Sequence, residues 1–182
     1  MHWYKVGRTD TRARLLADRH YSRKTIGAAE FCPPGNNIVL IIPSEDRTAA
    51  RAVWASQRPA PSSGIGRADG MDWWNNVIFR NETGIKSSDL IREAVAITRW
   101  FWPELPADGF HSFVDDRKVH GVKVRGEVVY GFSFMKAGFE LWPERTKSRK
   151  LLRWVFSREK LAAVKPLQPL CETVPPLVSQ CA

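Results

Sequence analysis

Between residues 87 and 103 the apolar positions return every three or four residues, at Leu90, Ile91, Ala94, Val95, Ile97, Thr98, Phe101 and Trp102. That spacing predicts a helix with one buried face. Ser87 or Ser88 suits its N-cap, Asp89 suits the first turn, and Pro103 stops it. On both sides the pattern changes to that of strands, over residues 74–80 and again over 110–114, which end on Asp115-Asp116. A polar turn, residues 81–88, leads from the first strand into the helix. Such a turn is suited to anions, because unpaired N–H groups and the helix dipole face the same way. Residues 130–139 then predict a short helix that breaks at Gly138 before another strand.

The remaining chain fills in around this unit. Residues 2–6 predict a first strand, and residues 11–23 a basic helix capped by Asp10 or Thr11. Residues 31–37 carry stacked proline and glycine turn signals. The apolar run 38–42 predicts a strand, with residues 49–57 as its hairpin partner. Residues 58–70 have the composition of a flexible loop. Two last strands are expected at 140–142 and 151–156, joined by the charged loop 144–150. From Lys165 onward, Pro166, Pro169, Pro175 and Pro176 argue for an extended or disordered tail. The expected class is therefore α/β (α+β): a mixed, mostly antiparallel sheet flanked by helices, in one domain over residues 1–160, with a proline-rich tail over 161–182.

Charge narrows the choice of partner. The 182-residue chain carries 28 Lys+Arg against 19 Asp+Glu, a formal charge of +9. This excess favours a polyanion, although a basic surface also serves solubility. Eight tryptophans lie in the chain, several near arginines, where aromatics and cations together can stack bases and hold phosphates. For most of them core packing is the default. Cys32, Cys171 and Cys181 are odd in number and widely spaced, with no CxxC pair, which fits a reducing cytoplasm. No apolar run reaches the roughly 18 residues of a membrane helix, and no signal peptide is read at the start. A membrane partner is not expected; monomer and homodimer are both open.

Two sets of residues carry a resemblance. The order of elements, with Lys136-Ala137-Gly138-Phe139 late in the chain, resembles the GNAT acyltransferase superfamily over roughly residues 3–156. The resemblance implies that the turn Arg80, Asn81, Glu82, Gly84, Ser87 and Ser88 holds the pyrophosphate of acetyl-CoA or a related acyl donor. It also implies that the strands at 74–80 and 110–114 splay around the acyl arm. This turn keeps one glycine of the family's usual pattern and adds the negative charge of Glu82. Within that superfamily the chain is similar to phage Mom-type DNA-modification proteins, through His20-Tyr21-Ser22-Arg23, Phe79-Arg80-Asn81-Glu82, Phe113-Val114-Asp115 with Val119, and Tyr130. That likeness implies transfer of an acyl-derived group to the exocyclic amine of adenine in DNA, an anti-restriction activity. It leaves open a dependence on iron, Fe(II), with His20, Tyr21 and Asp115 as ligands.

The chemistry of the residues can be weighed separately. His20 could act as a general base or metal ligand, or stand as a surface histidine beside Arg19. Asp115 could orient an amine, accept a proton or bind a metal; Asp115-Asp116 is equally a turn starter. Tyr130 is the candidate to protonate a departing thiolate, or a core anchor. Arg80 could reach a phosphate, or pair with Glu82. For DNA phosphates the candidates are Arg19, Arg23 and Lys24, with Arg12 and Arg14, and a second cluster of Arg145, Lys147, Arg149 and Lys150. Trp73 and Trp74 are the candidates to stack on a flipped base. His111 reads as a packing residue, and Cys32 lacks the partner of a nucleophile. Two other readings stay open: a GNAT acetyltransferase acting on a small amine or protein lysine, and a non-catalytic binding module on the same scaffold.

Overall fold

The computed structural model describes residues 2–59 and 70–170. Within them a seven-stranded sheet runs in the order β1-β2-β3-β4-β5-β9-β8. Its strands are β1 (Tyr4–Val6), β2 (Asn36–Pro43), β3 (Ala50–Arg58), β4 (Trp74–Asn81), β5 (Phe110–Val114), β8 (Glu140–Leu141) and β9 (Leu152–Phe156). Every neighbouring pair is antiparallel except β4 with β5. A separate two-stranded hairpin joins β6 (Val122–Val124) to β7 (Glu127–Val129). The fold is mixed α/β with four helices among the described residues, α1 (Thr11–Ala17), α2 (Ser87–Phe101), α3 (Phe132–Ala137) and α4 (Arg158–Ala163).

Helix α2 buries the face that its spacing predicts, from Leu90 to Thr98. A polar string fastens it to the sheet: Trp54 Nε1 donates to Ser56 Oγ at 2.7 Å, Ser56 Oγ lies 2.8 Å from Thr98 Oγ1, and Thr98 donates to the Ala94 carbonyl at 2.8 Å. Every member is satisfied, so burial of these hydroxyls carries no penalty. The N-cap is Lys86, with no side-chain cap bond, so neither Ser87 nor Ser88 caps the helix.

Helix α1 begins as expected, with the Asp10 carboxylate accepting from Arg12 N–H at 2.9 Å and Ala13 N–H at 3.1 Å. It ends at Ala17 rather than near residue 23. The cause is Asp18, whose carboxylate takes Arg23 Nε at 2.6 Å and the Gly27 N–H at 3.0 Å. These bonds fold residues 19–27 back as a loop, so His20 and Tyr21 leave the helix.

Two elements go beyond what the pattern predicts. The β6–β7 hairpin turns through Arg125 and Gly126, both at positive φ, the two-residue geometry of a type I′ turn. Helix α4 follows β9 directly, capped by Ser157, whose Oγ accepts from Lys160 N–H at 3.3 Å. Beyond it the chain passes α2, where Leu167 N–H donates to the Ala96 carbonyl at 3.1 Å, and reaches β1 at Leu170, whose N–H donates to the Trp3 carbonyl at 3.1 Å. Residues 60–69 and 171–182, most of the expected loop and tail, lie outside the described residues.

Two cores result. The larger, on the face of α2, holds Trp3, Trp54, Trp74, Trp102 and Trp154. The smaller lies under α1 and includes Phe31, Cys32 and Ile78. Among the described residues no helix is long and apolar enough to cross a membrane.

Candidate active site

The parallel pairing of β4 with β5 covers Trp74–Phe110, Asn75–His111 and Asn76–Ser112 only. Both strands continue past it, to Asn81 and Val114, so they part. At the same level the β3–β4 register slips by one residue, from Ala55–Ile78 to Ser56–Asn76. This β-bulge at Val77 increases the twist and bends β4 away from β5. Asn76 holds the bulge. Its Nδ2 donates to the Ala55 carbonyl at 3.3 Å and the Ile78 carbonyl at 3.0 Å, and its Oδ1 accepts from Ser112 Oγ at 3.2 Å.

A cleft of about 670 Å³ opens where the strands separate, within the roughly 300–1,000 Å³ usual for small-molecule sites. Its walls are the loop after α1, residues 30–33, the diverging ends of β4 and β5, the loop 118–122, the start of α3, and Arg149 with Leu151. The α3 wall needs Gly131, at φ 82°, because a Cβ there would collide with the Trp154 indole.

His20, Tyr21 and Asp115 meet in this cleft. The His20 and Tyr21 rings lie 4.3 Å apart between centroids. His20 Nδ1 sits 2.7 Å from Ser22 Oγ and accepts the Ser22 backbone N–H at 3.3 Å. Burial, and then the nearby Arg80 charge, push its pKa down to about 4, so the ring is neutral near pH 7. The Tyr21 hydroxyl accepts the Asp115 backbone N–H at 3.4 Å, and burial raises its pKa. Arg117 binds both Asp115 oxygens, Nε to Oδ1 at 2.7 Å and Nη2 to Oδ2 at 3.0 Å. That pairing holds the Asp115 carboxyl below its usual range.

These donors do not fit iron. Arg117 occupies both Asp115 oxygens, Ser22 holds one His20 nitrogen, and burial disfavours the Tyr21 phenolate. Among the described residues no group of three His, Cys, Asp or Glu could hold a metal ion. The Cys32 thiol is free and buried, with its pKa pushed up to about 12 by burial, which suits packing and not nucleophilic attack.

The turn after β4 is organised by Asn81. Its Oδ1 accepts from Thr83 N–H at 2.9 Å and Thr83 Oγ1 at 2.7 Å, while its Nδ2 donates to the Ile85 carbonyl at 2.8 Å and Ser87 Oγ at 3.0 Å. The Glu82 carboxylate is bracketed by Arg80 at 2.7 Å and Arg19 at 2.9 Å, which leaves the cluster with a net positive charge. A Cβ added at Gly84 would meet nothing within 4 Å, so folding does not require a glycine there. With the first-turn amides of Ser87 and Ser88, these features suit an anionic donor group.

Other expected site residues lie elsewhere. Tyr130 lines a different hollow, with Phe139, Leu141 and Leu152, so its side chain is not placed to protonate a group in the cleft. Trp74 is sealed in the core against Trp102 and Phe110 and cannot stack on a base without unfolding its surroundings. Trp73 is half-buried, stacked on His111 at 5.4 Å and edge-on to Phe113. His111 is fully buried with Nε2 on the Asp108 carbonyl at 2.7 Å, as a packing residue should be. Arg23 lines the cleft but is held by Asp18 and by the carbonyls of Ala28 and Glu30, which makes it structural. Arg145 pairs with Asp116 at 2.6 Å, and Lys147 is exposed. Lys24 and Arg149 stand at the cleft, joined by Lys118.

Sequence reasoning does not single out Asn76, Ser112, Arg117 or Lys118, and it names Ser22 and Phe113 only as parts of the motifs that carry the resemblance. The first does carry a signal, since two adjacent amides in an otherwise apolar strand demand hydrogen-bond partners. No family model matches the chain, and neither a curated protein nor a solved structure does.

Proposed function

We propose that this chain is a GNAT-type transferase that moves an acyl-derived group from a coenzyme A thioester to the exocyclic amine of adenine in DNA, as Mom-type proteins do. The observation that carries the reading is the convergence of His20, Tyr21 and Asp115 on a cleft opened by parting parallel strands. Arg80, at the start of the anion-suited turn, donates to the Arg19 carbonyl next to His20. The donor supplies a carbonyl carbon activated by its thioester. Arg19, Arg80 and the amides of residues 87–88 hold its phosphates. On the acceptor side, Lys24, Lys118 and Arg149 hold DNA phosphates, contacts that confer affinity rather than sequence choice. Phe113, edge-on to Trp73, offers the aromatic wall that a flipped base requires. Asp115, kept ionised by Arg117, fixes the Tyr21 hydroxyl through its backbone, and that hydroxyl keeps its own proton to donate.

The test is nucleoside mass spectrometry on DNA from cells expressing the protein. The expected result is a heavier deoxyadenosine with the native chain and far less of it with Tyr21→Phe or His20→Ala at equal, folded abundance. Unmodified DNA beside abundant folded native protein overturns the reading. Acetyl-CoA binding without salt-dependent DNA binding would then assign an acyltransferase acting on another amine.

A further inference from the structure

The orientation of the His20 ring decides what it can do, and Ser22 reads that orientation. A backbone N–H can only donate, and the Ser22 N–H points at His20 Nδ1 across 3.3 Å. Nδ1 is therefore an acceptor, and the Ser22 hydroxyl at 2.7 Å is its second donor. A neutral imidazole whose Nδ1 accepts carries its hydrogen on Nε2. The opposite tautomer would set N–H against N–H. Nε2 has no protein partner among the described residues, and the ring lines the cleft.

We propose that His20 works as a hydrogen-bond donor through Nε2–H, aimed at the carbonyl oxygen of the transferred acyl group, and not as the base that deprotonates the amine. Ser22 is the positioning residue that sets the tautomer. This rests on the acyl-transfer reading above. In the transfer, the amine nitrogen bonds to the carbonyl carbon and the carbon–sulfur bond breaks. The proton that the nitrogen loses ends on the departing sulfur, so atoms and charge balance. Negative charge passes through the carbonyl oxygen on the way, and a fixed N–H donor there lowers the barrier. Arg80 favours the same charge: its guanidinium lies near the ring and donates to the Arg19 carbonyl at 2.7 Å. Burial keeps the ring neutral, so donation does not depend on a proton gained near pH 7.

Two measurements test this. The long-range ¹H–¹⁵N spectrum of the imidazoles in labelled native protein reads the tautomer without any turnover. It should show His20 with its proton on Nε2; an Nδ1–H ring overturns the proposal. In DNA modification, His20→Ala should lower kcat by about 10²–10³-fold, the usual loss of one such donor. His20→Gln, whose amide N–H₂ reaches the place of Nε2–H, should restore most of it. A His20→Gln protein as inactive as His20→Ala, but folded and binding DNA normally, also overturns the donor role. Ser22→Ala keeps the backbone N–H donor and loses only the hydroxyl. Nε2–H should therefore remain the major tautomer, while a looser ring lowers kcat with KM unchanged. An Nε2–H ring in a native protein that modifies no DNA overturns the transfer reading, and the carbonyl as acceptor with it, while the tautomer assignment stands.

Discussion

Strand β4 has two neighbours, and it treats them differently. To β3 it is joined by an antiparallel ladder from Ala52–Asn81 to Gln57–Asn75, interrupted only by the bulge. To β5 it is joined at three residue pairs and then released. The first side, together with the paired start of β5, supports the larger core, where Trp54 and Trp74 both meet Phe110 edge to face. The second side leaves backbone and polar side chains facing a cleft. The contrast shows how a single strand can serve stability and chemistry together. Pairing is complete where the sheet must be rigid, and it stops where a ligand needs room. Asn76 sits at the junction and satisfies the carbonyls that the bulge would otherwise strand.

Substitutions can test that division. The largest effect should come from Trp74→Ala, which empties a fully enclosed core site and should cost about 3–5 kcal/mol in urea unfolding. Its neighbour Trp73→Ala loses mainly a stack on His111, roughly 0.5–1.5 kcal/mol plus partial burial. Equal losses would mean that the two faces of the sheet are equally closed where β4 begins.

Acid should act next, through His20. Its pKa is about 4 when folded, against 6.5 for an ordinary histidine, so the unfolded chain binds the proton first as pH falls. The contribution is fully present above about pH 6.5 and is lost progressively towards pH 4, on the order of 3 kcal/mol in all. Unfolding free energies of native protein and His20→Gln across that window should therefore converge as pH falls, and parallel curves would refute the shift.

Asn76→Ala removes the amide that serves both carbonyls and should cost about 1–3 kcal/mol. Arg80→Ala should change stability by less than about 1 kcal/mol, as for exposed ion pairs. If the turn holds coenzyme A as proposed, its affinity by calorimetry should nevertheless fall about tenfold, which corresponds to roughly 1.4 kcal/mol. The smallest stability change is expected for Gly84→Ala, a gain of about 0.4–1 kcal/mol from reduced unfolded-state entropy. If a donor approaches that backbone, the same variant should bind coenzyme A more weakly, and unchanged binding would remove the turn from the donor site.

Much of the scaffold is legible from local pattern. The α2 face, the β2–β3 hairpin and the strands flanking α2 follow from period and punctuation, because those signals arise within a few residues. The pattern overextends helix α1 because the end of that helix depends on Asp18 gripping Arg23 and Gly27, which no period reports. It does not reveal the β6–β7 hairpin, although valines flank the turn on both sides, because a non-glycine residue, Arg125, takes positive φ. The six-residue α4 is too short for its spacing to declare itself.

For the site, residue chemistry singles out His20, Tyr21 and Asp115 but cannot show that they meet, since Tyr21 and Asp115 lie 94 positions apart. Nor can it tell Trp74 from Trp73, or Lys24 from Arg23. Adjacent residues on a strand face opposite sides, and which cation is already paired depends on folding. The sequence alone determined the helical and strand periods, the excess of positive charge and the residues able to do chemistry, because these are properties of neighbours along the chain. The parting of β4 from β5, the covering of Glu82 and the tautomer of His20 were decided only by tertiary structure. Each depends on which hydrogen bonds are made, and which are left unmade, between segments brought together by folding.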